Sequence, residues 1–254
     1  MPITDDRRTV IAISALAYIV ADILHEGLGH GVTAWLSGAH RLIMSTVALQ
    51  SDIGTRWISA NGTLVNLVFA GIFWLALRRP QRYSPAARYF VVLTMAANLF
   101  TATGYFFFSG VTNFGDWAAV IAGLEPHWMW QTGLVMVGMA SYYAAMLLVA
   151  AEMKPFIGRL PALVWTPYIT QGVLAGLGGL FNPAGLFYVI ASALPSTLGA
   201  NAGLLALPGV MHGWKCSEQD RVGPVCRSIA WIAIGSVASV LFVCVLGRGL
   251  TFKM

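Results

Sequence analysis

The run VIAISALAYIVADILHEGLGHGVTAWL, residues 10–36, decides the fold. It is 27 residues long and mostly apolar, past the roughly 18 residues that mark a membrane-spanning helix. Further apolar runs follow at about 60–77, 88–109, 131–151, 161–181, 184–207 and 228–247, each near the ~20 residues a bilayer requires. Hydrophobic residues make up 57% of the 254 and charged residues 10%, where a soluble domain carries about 25% charged. A soluble globular class is excluded. The alternating pattern of a transmembrane β-barrel is absent over most of the chain. The sequence predicts an all-α, polytopic transmembrane helical bundle of about 6–7 spans, with the lipid bilayer as its partner. Residues 1–117 hold spans one to three, and residues 118–254 add further helices of the same membrane domain.

Loop composition fills in the map. Asn182-Pro183 is the natural hinge between the fifth and sixth runs. Between Gly38 and Ser59, Leu42–Met44 and Thr46–Leu49 predict a short β-hairpin joining spans one and two. Gly172 with Gly176, and Gly199 with Gly203, are G-x-x-x-G pairs that predict close helix packing. The net charge is +5, but the basic residues sit in short loops and no aromatic-and-basic stripe accompanies them. Nucleic acid is therefore not an expected partner. Their distribution orients the chain instead. Arg7, Arg8, Arg78, Arg79, Arg82, Arg88, Lys154, Arg159, Lys215, Arg221 and Arg227 fall on one side, and only Arg41, Arg56, Arg248 and Lys253 on the other. The eleven mark the cytoplasmic side and with it the N-terminus.

Chemistry concentrates in His25-Glu26-Gly27-Leu28-Gly29-His30. Three ionisable side chains within six positions of an apolar helix are costly to bury and are functional candidates by default. Imidazole with carboxylate is zinc-ligand chemistry. The bland alternative is a polar patch at the membrane interface near the end of a span. His25 and His30 are five residues apart, which on a regular α-helix leaves them ~140° apart and unable to share an ion. A π-bulge would absorb the extra residue, helped by Gly27 and Gly29. A regular helix would instead align Glu26 with His30 as the metal pair. A dead site is the third reading. His40 reads as solvated, His127 beside Trp128 and Trp130 as interfacial, and His212 as the cap of the sixth run.

The cluster and its continuation resemble the site-2 protease family of intramembrane zinc metalloproteases. That family carries H-E-x-x-H with a small residue four positions on and often a Gly four further, as Ala34 and Gly38 follow His30. Its later G-P-x-x-N element is similar to Gly62-Thr63-Leu64-Val65-Asn66, with Thr63 in place of Pro, and its late Asp is similar to Asp116 of Asn113-Phe114-Gly115-Asp116. The likeness covers the first half of the chain. It implies that His25, His30 and Asp116 hold zinc and that Glu26 is the catalytic base. It also implies that Asn66 hydrogen-bonds the backbone of a transmembrane protein substrate. The function expected is a zinc-dependent intramembrane peptidase, a hydrolase of membrane-embedded peptides, in a multi-pass protein of a bacterial inner membrane. The rivals are an inactive scaffold of the same fold and a metal or small-solute transporter, for which intramembrane His and Asp would be permeation ligands.

The charge count generates a prediction. Cys216 and Cys226 flank a polar loop on the basic side, and an impermeant thiol reagent applied to intact cells should leave both unlabelled. Labelling of either would reverse the orientation.

Overall fold

The structure is a computed structural model describing residues 4–79, 82–183 and 185–253. The first run becomes one helical rod, Arg7–Leu36, in three parts: α1 (Arg7–Ile23), a π-helical stretch (Leu24–Gly31) and α2 (Val32–Leu36). Asp6 caps its start, accepting from the Thr9 N–H at 2.9 Å and from the Thr9 hydroxyl at 2.8 Å. Those two bonds hold the Asp6 carboxyl below the usual carboxylate range. Then come α3 (Arg56–Ala76), α4 (Pro85–Thr112), the short α5 (Asp116–Ile121) and α6 (His127–Met153). Thr55 and Ser84 cap α3 and α4, and Pro85 sits at the first turn of α4, where its missing N–H costs nothing. Last are α7 (Leu160–Gly179), the three-residue α8 (Leu186–Tyr188), α9 (Leu194–Val210) and α10 (Ile229–Cys244).

Five helices among the described residues are long and apolar enough to cross a membrane: Arg7–Leu36, Arg56–Ala76, Pro85–Thr112, His127–Phe156 and Ile229–Arg248. This corrects the six to seven spans read from the sequence. The runs at 161–181 and 184–207 do become helical, but neither meets the standard of the other five. α7 carries Pro167 and the buried Gln171 and ends in glycines. The second run does not form one helix. A π-helical turn (Val189–Ala193) separates α8 from α9, which is 17 residues long.

The largest core cluster gathers Val10 and Ile13 of α1, Tyr89 and Phe100 of α4, Val149 of α6, Leu163 of α7 and Leu204 of α9 around α4. Tyr89, fully buried, donates to the Leu163 carbonyl at 2.7 Å. Small residues set the closest approaches. A Cβ on Gly138 of α6 would stand 2.4 Å from the Phe107 nitrogen of α4. A Cβ on Gly235 of α10 would stand 2.8 Å from Ala12 of α1. The two G-x-x-x-G pairs divide. Gly172 and Gly176 face Leu198 and Leu194 across the α7–α9 seam and Gly203 abuts Phe100, while Gly199 meets nothing within 4 Å.

The bundle has two distinct ends. At one, Asp5 pairs with Arg159 at 2.5 Å and accepts from the Val225 N–H, and Arg159 donates to the Val222 carbonyl. The N-terminus, the α6–α7 junction and the loop before α10 are thus tied together, and Arg78 pairs with Glu152. At the other end lies a small antiparallel sheet of order β2-β1-β3: β1 is Arg41–Met44, β2 Leu49–Ser51 and β3 Leu250–Lys253. A hairpin is present as expected, but its second strand is shifted: Leu42 pairs with Ser51 and Met44 with Leu49, and Thr46–Ala48, read as strand from the sequence, lie in the connection. The third strand is an addition from the far end of the chain, pairing Arg41 with Lys253 and Met44 with Leu250.

The α4–α6 seam supplies a test. Gly138→Ala forces a methyl against main-chain atoms of Phe107, so it should destabilise the bundle by about 1–3 kcal/mol, as overpacking does. Gly133→Ala on the same helix, with nothing within 4 Å, should be silent in the same thermal or denaturant titration.

Candidate metal centre

The five-residue spacing of His25 and His30 is accommodated by the helix itself. Backbone bonding over Leu24–Gly31 is of the π type, so residues five apart return to one face. The regular-helix alternative, with the two imidazoles on different faces, is not what forms. The rings meet edge to face with centroids 4.7 Å apart, and their Nε2 atoms are 3.2 Å apart. Both residues are buried.

Glycine makes room for them. Gly29 lies against α3 so closely that a Cβ there would stand 2.4 Å from the Gly62 Cα. A Cβ on Gly62 would fall 2.5 Å from His30 Nε2 and 2.8 Å from His25 Cε1. α3 therefore forms the floor beneath the two rings. Asp116 arrives from the opposite side, on a turn in which Asn113 (φ 51°) and Gly115 (φ 86°) both take left-handed backbone before α5 begins. Trp117 Nε1 donates to Thr63 Oγ1 at 3.0 Å and ties that turn to α3. Asp116 Oδ2 then stands 3.0 Å from His25 Nε2 and 3.3 Å from His30 Nε2.

The other ring nitrogens show which way each imidazole is turned. His30 Nδ1 lies 2.6 Å from the Ile58 carbonyl oxygen, which only accepts, so Nδ1 carries the hydrogen. His25 Nδ1 lies 2.6 Å from Asn66 Oδ1. The Asn66 amide nitrogen donates to the Ala21 carbonyl at 3.1 Å and to Asn98 Oδ1 at 2.7 Å, and Asn98 in turn donates to the Thr94 carbonyl. That chain fixes which Asn66 atom is oxygen, so His25 Nδ1 is also a donor. Both Nε2 atoms thus face inward. With Asp116 Oδ2 they form a triangle with edges of 3.0–3.3 Å. Three lone pairs at that spacing repel unless a proton on one imidazole or a bound cation lies between them. Tetrahedral zinc with bonds of ~2.0–2.1 Å separates its ligands by about 3.3 Å, so the donor set and its spacing fit the ion. The hydrogen bonds behind the rings are those that orient metal-binding imidazoles.

All five residues singled out in the sequence reach this place. Glu26 is buried beside the histidines, with ligand atoms of the three within 4.8 Å of one another. One of its oxygens takes a hydrogen bond from the Leu49 backbone, and Oε2 has no partner. Asn66 is present but behind His25, fully buried and with its amide committed to protein atoms. A cavity of about 210 Å³ opens between Glu26, His30, Leu49, Ser59, Phe114 and Asp116. No protein-family model matches the chain. Nor does any curated protein or solved structure match it. Sequence reading passed over three participants. Asn98 was detectable as a lone amide in an apolar run. Tyr105, stacked on His25 at 5.1 Å, and the Ile58 carbonyl left no signal, because an aromatic in a span and a main-chain oxygen are unremarkable there. His40 and His127 lie elsewhere: His40 is exposed, its N–H donating to Asp52, and His127 touches Asn113.

The hydrogen bond behind His25 can be tested directly. Asn66→Leu removes the acceptor that sets the tautomer, and zinc affinity of the purified protein should fall ~10–100-fold. Unchanged affinity, measured against a competing chelator, would mean that Asn66 does not position the ring.

Proposed function

We propose that the chain is a zinc-dependent intramembrane peptidase of the site-2 protease type, in a multi-pass protein of a bacterial inner membrane. One observation carries the reading: two inward-facing imidazole nitrogens and a carboxylate oxygen converge at ligand spacing, with a buried carboxylate beside them. His25, His30 and Asp116 would hold the ion. Zinc bound there supplies Lewis acidity toward a peptide carbonyl and toward water. Asn66 and the Ile58 carbonyl keep both imidazoles in the binding tautomer. Glu26, held at one oxygen by the Leu49 N–H and free at Oε2, takes a proton from water and returns it to the leaving amine.

The approach route supports a peptide rather than a small solute. β2 is an edge strand, and Val47, Ala48 and Leu49 line the cavity that holds Glu26 and His30. An extended segment lying there can pair with a strand edge, a common mode of peptide recognition. A helix cannot present its peptide bonds that way, so the substrate must unwind locally.

The test separates holding metal from turning over. His25→Ala, His30→Ala and Asp116→Ala should each lower zinc occupancy. Glu26→Gln should keep zinc and lose roughly 10²–10⁴-fold in cleavage of a membrane-embedded helical substrate. Loss of zinc in Glu26→Gln would make Glu26 a ligand and end the peptidase assignment. Zinc content unchanged in all four variants would favour the scaffold.

A further inference from the structure

A second polar cavity lies on the other side of Glu26, and the metal centre does not account for it. Two stripes line it. Tyr18, Asp22 and Glu26 follow at four-residue intervals on the first rod, and Thr197 and Asn201 do so on α9. Tyr18 and Thr197 hydroxyls touch at 3.3 Å and close one end. Thr46, from the loop between β1 and β2, closes the other. The volume is about 40 Å³, room for one ion with a water or two.

The hydroxyl residues Thr101, Tyr105 and Ser196 complete the lining, and four polar atoms around it stand out. Asp22 Oδ2, Glu26 Oε2, Asn201 Oδ1 and Thr46 Oγ1 are all buried without a hydrogen-bond partner. Asn201 and Thr46 are each only 2% exposed. The orientation of Asn201 is fixed, because its amide nitrogen donates to the Thr197 carbonyl at 2.9 Å and turns Oδ1 into the cavity. The His25 ring also borders the space, but both its nitrogens are engaged elsewhere. Three of the four orphaned atoms only accept, the fourth is a hydroxyl, and no Lys or Arg lines the cavity. Unpaired carboxylate and amide oxygens inside a membrane bundle are expensive and mark ion sites. Hard oxygen donors select hard cations, not zinc.

We propose that this cavity is a binding site for a monovalent hard cation, of which sodium is the representative. Asp22 supplies the balancing charge, and Asn201 and Thr46 supply neutral oxygen. One carboxylate besides the catalytic Glu26 matches a single positive charge. The choice of a monovalent ion rests on the peptidase reading, which assigns the Glu26 carboxylate to the metal centre; the cavity itself does not. It joins α1, α9 and the sheet loop, three parts of the chain far apart in sequence, so occupancy should tighten the bundle.

The experiment is thermal unfolding of the purified protein in sodium chloride against choline chloride at equal ionic strength, with zinc content followed in parallel and ²²Na⁺ binding measured at equilibrium. The wild type should show a saturable rise of several degrees in sodium and bind one ion per chain. Asp22→Asn should lose both while retaining zinc. Thr46→Val should weaken binding about tenfold, and Thr46→Ser, which keeps the hydroxyl, should restore it. The same sodium response in Asp22→Asn as in wild type would overturn the site. So would absence of ²²Na⁺ binding. An Asp22→Asn protein as stable in choline as the wild type in sodium would show instead that the carboxyl is kept neutral and holds only water.

Discussion

Three lone pairs pointing at one another inside a membrane bundle are the constraint around which the rest is arranged. The Nδ1 hydrogens of both imidazoles are directed away, toward Ile58 and Asn66, so only a further proton or a cation relieves their repulsion. The surroundings hold the donors in that unfavourable array. α3 presses against the rings through Gly62, and Trp117 anchors the aspartate turn to the same helix. Uncompensated, the array costs energy, and a cation there would join the π-helical stretch to the start of α5. Sites of this kind exchange folding free energy for metal affinity.

The π-helical stretch is the local solution that makes the array possible. A helix normally avoids i→i+5 bonding, and single π-turns persist mainly where function holds them. Leu24–Gly31 contains three glycines besides the histidines, and each serves contact rather than looseness. A Cβ at Gly27 would crowd the Met44 side chain of β1, one at Gly31 the Glu26 carbonyl, and one at Gly29 the main chain of α3. The same residues that let the helix widen also let its neighbours approach.

Much of this was legible in the residue order. The apolar runs announced a helical membrane protein, and the His-Glu-x-x-x-His spacing demanded either a widened helix or no shared site. Asp116 and Asn66 were located by resemblance, and both reach the histidines. Asn66 was expected to meet substrate and instead sits behind a ring, since position in a motif says nothing about which partner is nearer in space. The span count was overestimated for two reasons: α7 is continuous but Pro167, Gln171 and its glycines dilute its apolar content, and the π-turn at Val189–Ala193 divides the next run. β3 was missed for a different reason. Leu250–Lys253 is four residues long, and its partner is some two hundred residues earlier, where no local pattern points.

That late strand bears on the timing of assembly. β1 lies against the π-helical stretch, with Met44 beside Gly27, and is itself flanked by β2 from its own hairpin and by β3 from residues 250–253. During synthesis the histidines emerge some two hundred residues before the strand that completes their neighbouring sheet. The rods can insert one after another, but the sheet beside the histidines stays unfinished until residues 250–253 have left the ribosome. A chain that stopped before residue 250 would carry the histidines beside a two-stranded hairpin, so the last strand adds order to a wall that the first rod has long been waiting for.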